Sequence, residues 1–338
     1  MRIGVDAMGG DLAPAEPVKG AVAAAEALAD GDEIVLIGRA EAITPLLASS
    51  PGWERHIRVV HAPDVVGMDE APVESLRAKP NSSIARMAEL AKAGEVDAIL
   101  SAGNTGACVA AAQMRLRRLR GVHRPGIAIV VPTFYGPVTM CDVGANVNCR
   151  PTHLFQYAVM ASEYAKVICK VEAPRVGLLS IGEEDAKGTQ LVKGTRALLR
   201  GAPEMRFIGN VEGRDLFHGG CDVVVTEGFV GNVALKLMEG LAEGLFQSLL
   251  SELGQTGMQP EHRQFLMKSV GGIRDKYDFN EYGGAPLLGV NGICVICHGA
   301  SQQRGIANAV RVAARLARQK INDRIAERIA ECQGTAHE

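Results

Sequence analysis

Five short apolar runs in the sequence lead directly into turns rich in glycine, and these turns are the first candidates for a binding site. The turns span residues 6–11, 101–106, 142–146, 180–184 and 226–232. Glycine allows the backbone to approach a ligand closely, and a helix that begins after such a turn presents unpaired N–H groups to an anion. A single turn of this kind is explained by tight chain reversal alone. The set of five predicts a site that accepts an anion such as phosphate.

The elements that position these turns follow from the same pattern. The apolar runs do not alternate with polar residues, and helical stretches separate them, which is typical of parallel strands buried between two layers of helices. In such a sheet, the turns that leave the carboxyl ends of the strands share one edge, and ligands bind in the crevice there. We therefore predict a three-layer α/β/α fold built on a parallel sheet, with the five turns converging on one crevice.

The region 232–275 departs from this alternation of strands and helices. Leucine and methionine recur at helical spacing over residues 237–253, Gly254 and Gly257 break this first helix, and Pro260 can open a second one. Another apolar face follows over residues 265–273. These features predict a projecting helical hairpin. Its apolar stripe is more often used for core or dimer packing than for another purpose.

The remaining sequence predicts a single catalytic domain over residues 1–338, with the hairpin as an elaboration within it. The chain ends in a stretch that carries apolar residues from Val310 to Ile329 on one helical face. We expect one long helix there, with its arginines, such as Arg318 and Arg324, on a solvated face.

Bulk composition restricts the partners of the chain. Of its 338 residues, 47% are hydrophobic and only 4% are aromatic, and the formal net charge is −2. A nearly neutral chain with few aromatic rings lacks the usual surface for nucleic acid, so we expect no nucleic-acid partner. No signal peptide and no membrane-spanning apolar stretch are recognisable, so we expect a cytoplasmic protein with reduced cysteines.

Common catalytic motifs are absent from the sequence. It contains neither a G-x-G-x-x-G turn after a strand nor a P-loop, and it lacks the G-x-S-x-G and H-E-x-x-H patterns. The segment from Cys294 to His298 has the spacing of a c-type haem attachment site. It lies in an apolar run typical of a buried strand, and a zinc site would need a further ligand nearby. We therefore predict no metal and no cofactor.

Several sequence blocks in fixed order resemble the bacterial phosphate acyltransferase family called PlsX, over essentially the whole chain. The blocks span residues 6–11, 101–107, 142–147, 209–215, 282–289 and 298–301. The resemblance implies a fold like that of isocitrate and isopropylmalate dehydrogenases and of phosphotransacetylase. It implies formation of acyl-phosphate from long-chain acyl-acyl-carrier protein and inorganic phosphate, for phospholipid biosynthesis. It also implies a homodimer loosely associated with the inner face of the membrane, with the downstream membrane acyltransferase as a further partner.

The implied reaction assigns a phosphate site to two of the turns. The backbone N–H groups around Gly9 and Gly10, and those of Asn104, Thr105 and Gly106, are expected to hold phosphate. The hydroxyl of Thr105 can donate a further hydrogen bond. The side-chain amide of Asn104 is also suited to binding an oxyanion.

Three further residues receive roles from the same reaction. Lys187 follows a strand end and is expected to be catalytic as a positioned charge, together with the amide of Asn232. The alternative for Lys187 is a surface lysine paired with Glu183 or Glu184. His298 could donate a proton to the leaving group, and its alternative is a structural, hydrogen-bonded histidine.

Two surfaces are candidates for macromolecular partners. A basic run carries Arg115, Arg117, Arg118 and Arg120, and it could dock the acidic carrier protein. Its alternative is a solvated helix end, where basic residues are favoured. The hairpin tip, residues 246–266, is expected to contact membrane lipid.

Three other functions compete with the main interpretation. One is a short-chain phosphotransacetylase that uses acyl-coenzyme A. Another is a metal-dependent hydroxyacid dehydrogenase, for which the sequence offers no clear aspartate cluster. The last is a non-enzymatic peripheral membrane scaffold, which would leave the glycine-rich turns without an explanation.

Overall fold

The computed structural model describes residues 1–29, 31–255 and 259–334. These residues form one eleven-stranded sheet with helices packed against it. The strands are β1 (Arg2–Asp6), β2 (Glu33–Gly38), β3 (Ile57–His61), β4 (Ala98–Ser101), β5 (Gly126–Val131), β6 (Val138–Cys141), β7 (Val176–Leu179), β8 (Phe207–Val211), β9 (Val223–Val225), β10 (Ala285–Leu288) and β11 (Ile293–Ile296). The helices are α1 (Ala15–Ala25), α2 (Ala40–Leu47), α3 (Pro72–Ala78), α4 (Ser83–Lys92), α5 (Thr105–Arg115), α6 (Pro151–Ile168), α7 (Gln190–Arg200), α8 (Gly228–Gln255), α9 (Pro260–Lys276), α10 (Gln303–Arg318) and α11 (Ile321–Gly334).

The strand order is β3-β2-β1-β4-β11-β10-β5-β6-β9-β7-β8. Most neighbours are parallel, which confirms the predicted α/β class. Three pairings at the centre are antiparallel, namely β11–β10, β10–β5 and β5–β6. An odd number of reversals makes the two halves of the sheet run in opposite directions.

This reversal corrects the predicted site geometry. The turns after β1, β4 and β11 open at one edge of the sheet, whereas those after β6, β7 and β9 open at the other. The prediction that all five turns share one edge is therefore wrong. Strand direction at the centre of the sheet depends on hydrogen bonds between distant segments, which local sequence pattern does not report.

Local sequence explains where several helices begin. The side chains of Ser82, Asn104 and Thr189 each accept a backbone N–H hydrogen bond at the start of α4, α5 and α7. Such capping satisfies donors that have no partner inside the helix. Proline near the first position of α6 and α9 sets the backbone angle for entry.

The predicted helical hairpin corresponds to α8 and α9, which pack against each other. The first helix ends at Gln255 and the second begins at Pro260. Of the two glycines predicted to break the first helix, Gly254 lies inside α8, so its prediction is wrong, and Gly257 lies outside the described residues.

The predicted single C-terminal helix is instead two helices, α10 and α11. Lys320 separates them with a φ of 50°, a left-handed conformation that a continuous helix does not allow. The arginines nearby are not simply solvated. Arg318 pairs with Asp32, and Arg324 contacts Glu163 at 3.3 Å. These pairs tie the end of the chain to distant elements.

Candidate active site

A buried carboxylate, Asp6, joins the turns after β1 and β4. Ser101 Oγ donates to Asp6 Oδ2 at 2.7 Å, and the Met8 N–H donates to Oδ1 at 3.0 Å. The Gly103 N–H donates in turn to Ser101 Oγ at 3.0 Å. Burial raises the pKa of Asp6, and its hydrogen bonds partly oppose that shift. The two turns are therefore held at a defined separation.

Gly9 and Gly10 serve this close packing. A Cβ on Gly9 would lie 2.6 Å from both the Gly103 nitrogen and Asp6 Oδ2. Gly10 has a φ of 103°, and a Cβ there would lie 2.9 Å from the Gly299 carbonyl oxygen. Neither glycine lines the cleft that lies between α8 and the centre of the sheet. Their predicted phosphate-binding role stays a prediction, because the structure accounts for both glycines by packing between turns.

The turn after β4 presents the start of α5. The two N–H groups of the Asn104 side-chain amide are shared among three carbonyl oxygens, those of Gly67, Met68 and Glu70, at nitrogen–oxygen distances of 2.9–3.1 Å. Its Oδ1 accepts from the Ala107 N–H at 2.9 Å. Asn104 thus anchors the turn and caps the helix, and its side chain has no remaining N–H for an oxyanion.

The neighbours of Asn104 differ from it in accessibility. Thr105 is exposed and lines the cleft at the helix N-terminus. Gly106 packs on Pro72, because a Cβ would contact that ring. Thr105 is therefore the member of this turn best placed to meet an anion.

A second buried carboxylate, Asp142, organises the turn after β6. Backbone N–H groups of Ile127, Gly144, Ala145 and Asn146 donate to its two oxygens at 2.8–3.2 Å, and the Asn146 side chain adds a further bond at 3.2 Å. Burial raises the pKa of Asp142 against these hydrogen bonds.

Helix α8 begins against that turn. A Cβ on Gly231 would overlap the Asp142 carbonyl oxygen, and one on Gly228 would lie 2.7 Å from the Asn146 oxygen. Glu227 accepts from the N–H groups of Phe229 and Val230 at 2.6 and 3.0 Å. This capping and contact fix the first turn of α8, which carries the exposed Asn232.

A cleft of about 560 Å³ lies between α8 and the centre of the sheet. It reaches both groups of turns, because Thr105 and His298 line it from one group and Val143 and Asn232 from the other. The cleft therefore brings together residues that the strand directions separate. A volume of this size is typical of a small-molecule site.

His298 is exposed in the cleft, directly after β11. Its Nδ1 lies 3.2 Å from the Ala300 backbone N–H and accepts from it. In the neutral ring, this contact places the proton on Nε2. The histidine thus combines one structural hydrogen bond with a ring nitrogen that can donate.

Lys187 is not among the residues that line the cleft. It is exposed in the turn after β7, where its backbone N–H donates to the Glu184 carbonyl at 3.0 Å. Among the described residues, no ion pair joins it to Glu183 or Glu184. Its catalytic role stays a prediction.

Sequence reasoning missed Lys236. This residue lines the cleft one helical turn after Asn232, and it lies 3.4 Å from Glu239. Residues four apart on a helix share a face. That spacing was a usable signal once α8 was assigned, but nothing local indicated which face of α8 meets the cleft.

The predicted basic run forms a surface loop after α5. Arg117, Arg118 and Arg120 are exposed, whereas Arg115 is half-buried and pairs with Glu89 at 3.3 Å. The loop continues to Arg124, whose guanidinium donates to Asn146 Oδ1 at 3.4 Å. The basic loop therefore lies beside the turn that holds the start of α8.

The cysteines of the haem-like segment are buried. Cys294 lies on β11 with its sulfur 3.7 Å from that of Cys108, and burial raises the pKa of Cys297 to about 12. Within residues 1–29, 31–255 and 259–334, no group of three or more His, Cys, Asp or Glu side chains could hold a metal ion. Over the same residues, none of the helices combines the length and the hydropathy of a membrane span.

Similarity to known proteins shows to which family this chain belongs. The sequence model described as "Fatty acid synthesis protein" matches residues 1–324. The phosphate acyltransferase of Geobacter sulfurreducens is 45% identical over 337 residues, covering 100% of this chain and 96% of that relative. The phosphate acyltransferase of Heliobacterium modesticaldum is 48% identical over 314 residues, 93% of each chain. The chain belongs to this family. The resemblance to the PlsX phosphate acyltransferases is thereby confirmed.

The fold has a solved counterpart. A phosphotransacetylase from Streptococcus pyogenes superimposes with a TM-score of 0.62 at 16% identity, over 94% of both chains. At this identity, the likeness shows a shared fold alone. It confirms the expected relation to the phosphotransacetylase architecture.

Proposed function

We propose that this chain transfers a long-chain acyl group from acyl-carrier protein to inorganic phosphate, and that the acyl-phosphate enters phospholipid biosynthesis. The observation that carries the proposal is full-length membership of a family whose curated relatives are named phosphate acyltransferase. The cleft supports it, because a helix N-terminus with Thr105, the amide of Asn232 and the imidazole of His298 all line it.

The chemistry requires positioning more than a protein nucleophile. A phosphate oxygen attacks the thioester carbonyl carbon, the carbon–sulfur bond breaks, and the thiolate takes up a proton. Thr105 and the N-terminus of α5 would hold phosphate. Asn232 would stabilise the oxyanion, and His298 Nε2 would supply the proton to the thiolate.

The first experiment measures phosphate-dependent release of free thiol from palmitoyl-acyl-carrier protein, with acetyl-coenzyme A in parallel. We expect release from the long-chain donor only when phosphate is present. Release from acetyl-coenzyme A alone would favour a short-chain phosphotransacetylase. Folded protein that acts on neither donor would favour the scaffold function.

Lys187 and Lys236 are alternative sources of the positive charge. If one of these lysines binds phosphate, its replacement by alanine should raise the Michaelis constant for phosphate roughly tenfold or more. The reason is that a hydrogen bond to a charged group is worth about 1.5–3 kcal/mol. Its counterpart should leave that constant unchanged. Lys187→Ala and Lys236→Ala assayed side by side decide between them, and an unchanged constant in both variants removes both.

The basic loop is the proposed docking surface for the acidic carrier protein. Its exposed arginines, which lie on the loop next to the turn that holds the start of α8, would attract the carrier protein electrostatically. Charge reversal at Arg117 and Arg118 should raise the Michaelis constant for acyl-carrier protein and leave that for phosphate unchanged. If neither constant moves, the loop is only a solvated helix end.

A homodimer is proposed from the outer side of α8. Leu237, Leu241 and Leu245 are exposed by 69%, 61% and 62%, a contiguous apolar stripe that water does not favour. Sedimentation of Leu241→Glu should show monomer where the wild type shows dimer. A dimer in both would place the interface elsewhere.

We also propose that the protein is cytoplasmic and associates loosely with the inner face of the membrane. The far end of the α8–α9 hairpin is the proposed contact with lipid. Leu249 and Phe265 are exposed there by 43% and 71%, and residues 256–258 lie outside the described part of the chain. Apolar side chains of this kind insert into the lipid interface. A folded variant with Leu249→Glu and Phe265→Glu should no longer co-sediment with anionic vesicles, and unchanged co-sedimentation would contradict the proposal.

A further inference from the structure

The cleft has an apolar floor that the phosphate chemistry does not use. Ile127 and Ile129 of β5 line it, together with Val143 and Ile296. Alternate residues on a strand point to one face, so Ile127 and Ile129 lie side by side beneath the cleft. Strand β5 lies inside the sheet, between β10 and β6. The floor is therefore deep in the molecule, and both isoleucines are buried.

Helix α8 supplies an apolar strip over this floor, beside charged residues of the same helix such as Lys236 and Glu243. Leu235, Ala242 and Phe246 line the cleft and share one helical face by their spacing of seven and four. Leu237 and Leu241 lie on the opposite side and are exposed. The helix is thus apolar on two sides, and only the outer side is available to a protein surface.

The space between the floor and this strip suits a slender apolar group that is attached to a polar reacting end. The cleft encloses about 560 Å³. Thr105, Asn232 and His298 lie at its polar reacting end, and further polar side chains of α8 and α9, such as Lys236, Glu243 and Arg274, form one wall. The isoleucines of β5 and the apolar strip of α8, formed by Leu235, Ala242 and Phe246, lie beside that wall. Each methylene moved from water into such a space gains roughly fourfold in affinity.

We infer that the acyl chain of the donor lies between Ile127 and Ile129 below and α8 above, and that Ala242 and Phe246 determine which chain lengths fit. The inference rests on the proposed acyl transfer. It assigns chain-length specificity to residues of α8 that lie outside the glycine-rich turns.

The test narrows the cleft at one point of α8. Ala242→Phe places a ring over the floor, and Ser248→Phe is the matched control on an exposed position outside the cleft. The ratio kcat/KM is measured with palmitoyl-acyl-carrier protein and with octanoyl-acyl-carrier protein as the acyl donor. We expect Ala242→Phe to lose roughly 15-fold or more on palmitoyl, equivalent to displacing two methylenes, and to keep its octanoyl activity. Ser248→Phe should keep both.

A binding assay separates this inference from the proposed function. A polyunsaturated fatty acid that fluoresces in apolar sites is the probe, and palmitate and octanoate are the competitors. Palmitate should displace the probe from wild type and from Ser248→Phe, and at least tenfold less well from Ala242→Phe. Phe246→Ala, which widens the cleft, should improve displacement by stearate relative to palmitate.

The outcomes are distinct. Selective loss of palmitate binding without any acyl transfer would keep the inference and remove the proposed function. Acyl transfer in which Ala242→Phe and Phe246→Ala leave the chain-length profile unchanged, or lower all lengths equally, would overturn the inference and keep the function. Wild type that binds no probe would also overturn it.

Discussion

Asp6 ends strand β1 and Asp142 follows strand β6 of the same sheet, and both are buried, yet they organise turns with different accessibility. Asp6 accepts from a serine hydroxyl and links two neighbouring turns. Asp142 accepts from three backbone N–H groups and one side-chain amide of its own turn, and from the Ile127 N–H of the neighbouring strand β5. The first arrangement leaves the start of α5 open to the cleft. The second is covered by the start of α8.

The difference shows that a similar local pattern can build a ligand-facing turn or a packed one. An apolar strand, an aspartate and glycines occur at both places. What decides the outcome is the element that covers the turn afterwards. Thr105 therefore lines the cleft at the exposed N-terminus of α5. Asn232 lines it from the start of α8, which packs against the Asp142 turn.

The contact between α8 and the Asp142 turn can be broken at one glycine. Gly231→Ala should destabilise the protein by about 3 kcal/mol or more, because the new methyl overlaps a backbone oxygen that cannot move freely. The control, Gly240→Ala, meets nothing and should stabilise α8 by about 0.5–1 kcal/mol. Urea unfolding measures both. Equal stability of the two variants would show that the Asp142 turn is not held by this contact.

On the side of the cleft formed by α8, substitution of Asn232 should slow the chemical step. Asn232→Ala is expected to lower kcat by roughly 10²–10³, the loss typical of removing one oxyanion donor. The Michaelis constant for phosphate should change little. Steady-state kinetics with palmitoyl-acyl-carrier protein give both constants, and a variant with normal kcat would exclude the oxyanion role.

On the side of the cleft formed by α5, substitution of Thr105 should weaken phosphate binding instead. Thr105→Val keeps the side-chain shape and removes one donor, so the Michaelis constant for phosphate should rise roughly tenfold while kcat stays near the wild-type value. The same assay, run over phosphate concentration, distinguishes the two sides. If Thr105→Val lowered kcat alone, the division of roles between the two turns would be wrong.

The smallest expected effect is a pH dependence of folding stability caused by His153, which lies near the basic loop. Burial, followed by the charges of Arg124, His123 and Arg150, lowers the pKa of His153. The unfolded chain therefore takes up this proton first, and stability is lost as pH falls through the ordinary value of about 6.5 toward the lower folded-state pKa. His153→Gln removes the titration, and glutamine can keep the hydrogen bond to the Arg150 N–H.

Unfolding free energies at about pH 7.5 and about pH 5.5 bracket that window. We expect the wild type to lose more stability across it than His153→Gln does. An identical loss in both would show that His153 does not titrate in this range.

Much of the local structure was predictable from sequence. Asn104 occupies a helix cap that its residue type favours, Pro260 opens α9, and the apolar runs became buried strands. These features depend on neighbours within a few residues. The sequence blocks also sufficed to assign the family, because their order is far more specific than any single turn.

The arrangement of the site could be predicted only in part. Thr105, Asn232 and His298 were selected from sequence and all line the cleft, whereas Lys187 was selected and does not. Lys236 was overlooked, since a lysine on an amphipathic helix carries no local sign of which surface it faces. The side chain of Asn104 was assigned to an oxyanion, but its hydrogen bonds hold three carbonyl groups instead.

The sequence by itself determined the turn chemistry, the starts of several helices and the family of this protein, because each depends on residue types in a fixed local order. Tertiary structure alone decided which turns share an edge. Three antiparallel pairings between distant segments reverse the sheet at its centre, and α8 then spans the face where the two halves meet. Hydrogen bonding and burial between segments far apart in sequence set that geometry, so no local pattern could reveal it.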